Sequence, residues 1–279
     1  MSDTELPSEK FAHKKSLGQN FLTSDVVPGW MCEAGAVQSG DMVLEIGPGT
    51  GALTRVLLAR GATVHAIETD ERALLVLTTT FAEALHKGQL ILHRGDVRDF
   101  DIPGLVANLP PYKIIANIPY YMSGFLLRTC LELPQPPTTL VFLLQKEVVC
   151  RITRDKKQSL LSLSVAVYGT PRYYKTVSRG HFNPPPKVDS AILVVNGISH
   201  AALPNAGDRE AFFHLLHLGL GQRRKQLVGN LGVFYDRSVV EKAFAALNIK
   251  PLVRGEDLTL DSWLKLFRHL HPHTPHMHR

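Results

Sequence analysis

Met42-Val43-Leu44-Glu45-Ile46-Gly47-Pro48-Gly49-Thr50-Gly51 is a short apolar run that ends in three closely spaced glycines. The run has the length and composition of a buried strand, and the glycines let backbone approach a ligand without Cβ obstruction. Ala52 to Arg60 continues as a helix, with Gly61 as its left-handed stop. A strand that turns through glycines into a helix is the opening unit of a parallel α/β sheet with a nucleotide-like ligand at the turn.

The same alternation continues outward from this unit. Strands are predicted at Thr63 to Ile67, Leu90 to His93, Lys113 to Ile118 and Thr139 to Leu144, with a helix from Asp70 to about His86. Two β-rich runs, Leu160 to Tyr168 and Ser190 to Val195, flank a basic, proline-rich loop and are expected to add to the sheet in antiparallel fashion. Helices are predicted at Arg209 to Leu220, Arg223 to Leu231, Arg237 to Leu247 and Leu260 to Leu270. The expected architecture is a Rossmann-like α/β domain over residues 1–200 with helices on both faces of its sheet. A smaller all-α domain follows over 201–270, and then a disordered His-rich tail over 271–279.

Composition narrows the class. The chain has 279 residues, 44% apolar and 20% charged, enough for one large domain and one smaller one. No apolar run reaches the roughly 18 residues that span a bilayer, and the polar start is unlike a signal peptide, so a cytoplasmic protein with no membrane partner is expected. Cys32, Cys130 and Cys150 fit neither a disulfide framework nor a zinc cluster. Prolines interrupt the histidines near the C-terminus, and no metal site is expected. The net charge of +6 points to an anionic partner.

Candidate site residues stand at the strand ends. Glu68 is placed to hold ribose hydroxyls and Asp96 to accept from an adenine amino group. With Ala52 the glycine loop also satisfies a dinucleotide fingerprint, so a nicotinamide dehydrogenase competes up to this point. Asn117-Ile118-Pro119-Tyr120, at the end of the fourth strand, turns the argument toward methyl transfer. An aromatic amine is a poor nucleophile because its lone pair is delocalised. An Asn side-chain oxygen and the carbonyl before Pro119 supply two acceptors that hold the amino group, and Tyr120 can stack on a flipped base.

With Leu17-Gly18-Gln19-Asn20-Phe21-Leu22, Gln145-Lys146-Glu147-Val148, and Phe182 before Pro184-Pro185-Pro186-Lys187-Val188-Asp189-Ser190, these motifs fall in one order. So ordered, the chain resembles the ribosomal RNA adenine dimethyltransferase family, and within it the branch that dimethylates two adjacent adenosines near the 3′ end of 16S rRNA. The resemblance implies S-adenosylmethionine as methyl donor. It assigns donor binding to Asn20, Leu22, Gly47, Gly49, Gly51, Glu68, Asp96 and Asn117, and handling of the target base to Asn117, Pro119, Tyr120 and Phe182. Phe182, braced by prolines, is expected to present an aromatic face to the base. The chain departs from the family pattern at Leu160-Leu161 and Ser178, away from these residues.

Basic clusters at Lys10, Lys14 and Lys15, at Arg151, Arg154, Lys156 and Lys157, and at Arg172, Lys175 and Arg179 are candidate phosphate contacts, as are Lys187 and Arg223, Arg224 and Lys225. The expected partner is 16S rRNA in a small-subunit particle, engaged by a monomer. Two other readings stay open: a 23S rRNA adenine N6-methylase, and a ribosome-assembly factor that mainly binds RNA.

Overall fold

The computed structural model describes residues 20–273. In chain order the first elements are β1 (Phe21–Leu22), α1 (Val26–Ala34), β2 (Met42–Ile46), α2 (Ala52–Ala59), β3 (Thr63–Glu68), α3 (Glu71–Thr80), α4 (Ala82–His86), β4 (Leu90–Arg94), α5 (Ile102–Val106) and β5 (Tyr112–Asn117). There follow α6 (Ser123–Leu131), β6 (Thr139–Gln145), α7 (Lys146–Thr153), α8 (Leu160–Ala166), β7 (Thr170–Val177), β8 (Phe182–Asn183) and β9 (Ser190–Asn196). The last are α9 (Ala206–Gly221), α10 (Leu227–Leu231), α11 (Arg237–Ala246) and α12 (Leu260–Leu270).

Seven strands form one sheet in the order β4-β3-β2-β5-β6-β9-β7. β2 pairs in parallel with both β3 and β5, so the strand order reverses direction at β2 and opens a crevice at the carboxyl ends of these strands. β9 runs antiparallel to β6, from Thr139 opposite Asn196 to Gln145 opposite Ser190. Apart from Glu45 in β2 and polar residues near the strand ends, the central strands are apolar because helices cover both of their faces. Val43, Leu44, Ile114, Ile115, Val141 and Phe142 are all fully buried.

The chain divides into two compact units. Residues through Val149 group with Arg172–Ile198, and Cys150–Pro171 groups with the residues from Ser199 onward. The segment Cys150–Pro171, read from sequence as part of the first domain, is tied to the C-terminal helices. The Ser199 amide donates to the Tyr168 carbonyl at 2.8 Å, Gln158 N donates to Glu256 O at 2.8 Å, and the Tyr168 ring lies 6.1 Å from that of Phe213.

Several elements differ from the sequence reading. Leu160–Ala166 is a helix, not a strand, because Ser159 and Ser162 close a capping box: each side chain accepts from the other's backbone N–H. The strand lies later, at β7, in what reads as a basic loop. The helix expected from Asp70 to His86 breaks at Phe81 into α3 and α4. Arg223 to Gln226 form an exposed turn before α10 rather than its first turn. His271–His273 continue past α12 as a single 3₁₀ turn, and the rest of the expected tail lies outside the described residues, as do Lys10, Lys14, Lys15 and Leu17 to Gln19.

Candidate active site

The crevice at the strand ends collects side chains from five places. It is lined by Asn20 to Leu22, by the glycine loop, by Glu68, by Gly95 to Arg98, and by Asn117 to Met122. All belong to the first unit.

Gly47 and Gly51 meet different demands within the glycine loop. Gly47 has φ +68°, and a Cβ there would meet no other part of the protein within 4 Å, so this position faces open space in the crevice. Gly51 has φ +86° and caps α2. A Cβ there would come within 2.4 Å of the Phe81 ring, so this glycine serves packing. Gly49 donates its amide to Glu68 Oε2 at 3.0 Å.

Glu68 is 6% exposed and acts as a clasp. Its other oxygen, Oε1, accepts from the amides of Thr69 and Asp70 at 2.8 Å each. A carboxylate offers about four lone-pair sites, so three N–H donors leave room for one more partner. Asp96 also faces the crevice, and Arg98 holds it: Nε lies 3.0 Å from Oδ1 and Nη2 lies 2.5 Å from Oδ2. Hydrogen bonding to this guanidinium keeps the Asp96 carboxyl below its ordinary range.

Asn117 ends β5, and its Nδ2 donates to the backbone carbonyl of Asn20 at 3.2 Å. That bond joins the segment carrying Asn20 to the crevice and uses an amide N–H, which leaves Oδ1 available as an acceptor. Pro119 starts a 3₁₀ turn over Tyr120–Met122. The Tyr120 hydroxyl shares a 2.6 Å hydrogen bond with Ser190 Oγ on β9, and burial raises its phenol above the usual value. The Tyr120 ring is thereby held at the crevice wall.

The structure corrects the expectation for Phe182. It sits in β8 opposite Leu22 of β1 and is 3% exposed, inside the hydrophobic cluster that also contains Leu22, Val27 and Val177. The two-stranded pairing buries the ring, so it presents no open face to a base. Leu22 is buried with it yet still touches the crevice.

Lys187 is exposed in the loop before β9, and Arg223, Arg224 and Lys225 are exposed in the second unit. Lys157 is engaged by Asp257 and, at 3.6 Å, by Glu256, which removes it from the free cations. Lys175 lies over the Trp30 ring at 4.1 Å and Arg172 over the Tyr174 ring at 5.5 Å.

Sequence reasoning missed Glu45. It is 1% exposed and lines the crevice from within β2, and it accepts from Thr54 Oγ1 at 2.7 Å. Burial pushes its carboxyl up to about 8, a rise that the Thr54 hydrogen bond opposes and the nearby Glu68 charge reinforces. The signal was present: a carboxylate inside a strand that is otherwise apolar. Among the described residues no group of three or more His, Cys, Asp or Glu is placed to hold a metal, and no helix is long and apolar enough to cross a membrane.

Residues 10–271 match the family described as ribosomal RNA adenine dimethylase. A protein named ribosomal RNA small subunit methyltransferase A from Laribacter hongkongensis is 37% identical over 257 residues, covering 91% of this chain and 94% of its own. The protein of the same name from Deinococcus radiodurans is 36% identical over 250 residues, 88% of this chain and 82% of its own. Among solved structures, a dimethyladenosine transferase from Plasmodium falciparum superposes with a TM-score of 0.76 at 23% identity, covering 90% of this chain and 98% of that one. The 23S rRNA methyltransferase ErmE does so with 0.68 at 25% identity, covering 90% and 100%.

Proposed function

The chain belongs to the ribosomal RNA adenine dimethylase family, and from that premise we infer that it dimethylates the N6 amino groups of two adjacent adenosines near the 3′ end of 16S rRNA. The observation that carries the reading is the meeting of Asn117 to Tyr120 with the glycine loop in one crevice.

S-adenosylmethionine, when bound, supplies a methyl group already activated on a sulfonium. The residues fit such a donor: open space stands where a Gly47 side chain would be, and the carboxylates of Glu68 and Asp96 line a crevice suited to a cation. Gly47 and Gly49 bring backbone against the donor, Gly51 holds the turn behind them by packing on Phe81, and Asn20 and Leu22 close over the donor. Glu68 has acceptor capacity left for ribose, and Asp96 faces the adenine end.

Asn117 Oδ1 and the Ile118 carbonyl accept the two amino hydrogens of the target adenine, which favours a pyramidal nitrogen with its lone pair directed at the methyl group. Pro119 fixes the backbone of that acceptor pair, and Tyr120 stacks on the base. Catalysis is positioning and electrostatics, and the proton leaves after transfer. Lys187 and the Arg223-Arg224-Lys225 turn contact RNA phosphates, the helical unit serving as an RNA-binding domain. The protein acts in the cytoplasm as a monomer on a small-subunit particle, and this work belongs to small-subunit biogenesis.

The experiment is to map methylated adenosines in ribosomal RNA from cells with and without the gene. Loss of the 16S pair supports the reading. Loss confined to a 23S adenosine would replace it with the activity named for ErmE, which the fold alone accommodates equally well. Unchanged methylation with defective subunit assembly would favour an assembly factor.

A further inference from the structure

The helical turn after Tyr120 carries a surface that the methyl-transfer reading does not use. Tyr121, Gly124, Phe125 and Arg128 are exposed, while Met122, Ser123, Leu126 and Leu127 are buried. This i, i+3, i+4, i+7 spacing places the exposed four on one helical face. Tyr121 is 63% exposed and Phe125 44%, the two aromatic members of the exposed large hydrophobics among the described residues. Between them, a Cβ on Gly124 would meet nothing within 4 Å, so the face from one ring to the other is unobstructed.

This face adjoins the crevice. Tyr121 and Arg98 both line its rim. Arg98 commits Nε and Nη2 to Asp96 but leaves Nη1 outside that pair, and its side chain is 62% exposed. Aromatic rings kept in water at the edge of a ligand site mark a binding surface, and a neighbouring guanidinium selects a planar ligand joined to an anion. A nucleotide in a single strand has that chemistry.

We propose that Tyr121 and Phe125 form a stacking shelf for the base next to the adenine held in the crevice, with Arg98 facing the phosphate that joins the two nucleotides. The inference rests on the adenine-N6 reading above, and it names the second base the site must recognise. Because the two target adenosines are adjacent, that second base is the partner adenine for whichever adenosine of the pair places its neighbour on the shelf side of the crevice.

The test uses the full chain and small-subunit particles whose 16S rRNA carries a synthetic 3′ segment. One target adenosine is intact, and its neighbour is either adenosine or an abasic nucleotide, tried on each side. Single-turnover methylation of the intact adenosine as a function of particle concentration gives the apparent affinity for wild type, Tyr121→Ala, Phe125→Ala and Tyr121→Trp. Tyr121→Ala on intact RNA, and wild type on abasic RNA, should each weaken affinity by about tenfold or more. Combined, they should lose no more than either alone, and Tyr121→Trp should retain most of the affinity.

Losses that multiply would overturn the shelf and point to a protein surface of the particle as what Tyr121 meets. Unchanged affinity in Tyr121→Ala would overturn it as well. If wild type methylates neither adenosine in the intact particle, the proposed function fails and the shelf with it. If wild type methylates both and the losses multiply, the shelf alone falls.

Discussion

Replacing Asn117 with Ala separates two jobs of one side chain. Its Nδ2 ties the Asn20 carbonyl at 3.2 Å, and its Oδ1 is the acceptor assigned to the target amino group. A neutral intramolecular hydrogen bond is worth about 0.5–1.5 kcal/mol net, so loss of the tether should weaken donor binding by about two- to tenfold. Removal of an acceptor used in the transition state should lower turnover by about 10²–10³. Melting should fall by about 2–4 °C, since Asn117 is half-buried and its loss opens no large cavity. The assay is single-turnover methylation of undermethylated small subunits with donor and particle saturating, so that a weakened donor site cannot mimic slow chemistry. Calorimetry for S-adenosylmethionine and a thermal melt accompany it. Asn117→Asp keeps an acceptor and loses the tether, and it should fall between Ala and wild type in rate. If Asn117→Ala turns over at the wild-type rate under saturation, the amino-group role is wrong.

Glu45→Gln should flatten the pH dependence of stability. With the folded carboxyl raised from 4.5 to about 8, the stability linked to Glu45 is full below about pH 4.5 and is lost as the pH rises to and through about 8. Melting curves at pH 5 to 9 should then converge at low pH and favour the Gln variant at high pH, whereas parallel curves would refute the shift. Gly47→Ala should abolish most donor affinity with a modest loss of melting temperature, while Gly51→Ala should lower melting more, because its Cβ meets the Phe81 ring at 2.4 Å; equal effects in calorimetry and melting would contradict this division. Phe182→Ala should cost about 3–5 kcal/mol in denaturant unfolding, the range for a buried Phe, and a loss under 1 kcal/mol would show that the ring is not held in the core. Reversing Arg223, Arg224 and Lys225 to Glu should weaken RNA binding and reduce its salt dependence while sparing donor affinity; unaltered RNA binding across a salt series would exclude this turn.

How far the sequence could be read depended on how local the deciding physics was. β2 and α12 fall on their expected residues, Met42–Ile46 and Leu260–Leu270. A buried strand closed by glycines and an amphipathic helix opened by a Thr259 cap announce themselves within ten residues or so. Leu160–Ala166 failed because its alternating leucines satisfy a period of two as well as a helical stripe. The choice lay with Ser159 and Ser162, whose reciprocal bonds form only once the turn has formed. Phe182 failed for the opposite reason. Among turn residues it reads as an exposed loop aromatic, and its burial comes from pairing with Leu22, a partner near the other end of the first unit.

The site shows the same division. Each strand-end residue was visible because parallel α/β topology delivers strand ends to one crevice, so Gly47, Glu68, Asp96 and Asn117 could be placed together without knowing any distance. What that rule cannot supply is which of them are already partnered. Glu68 is committed to three backbone amides and Asp96 to Arg98, so any ligand here meets acceptors that are oriented in advance and only partly free. Asn117 keeps Oδ1 free because its N–H is the atom tied down. On the proposed function, the target amino group therefore meets a strand-end oxygen whose side chain is already oriented through its own N–H.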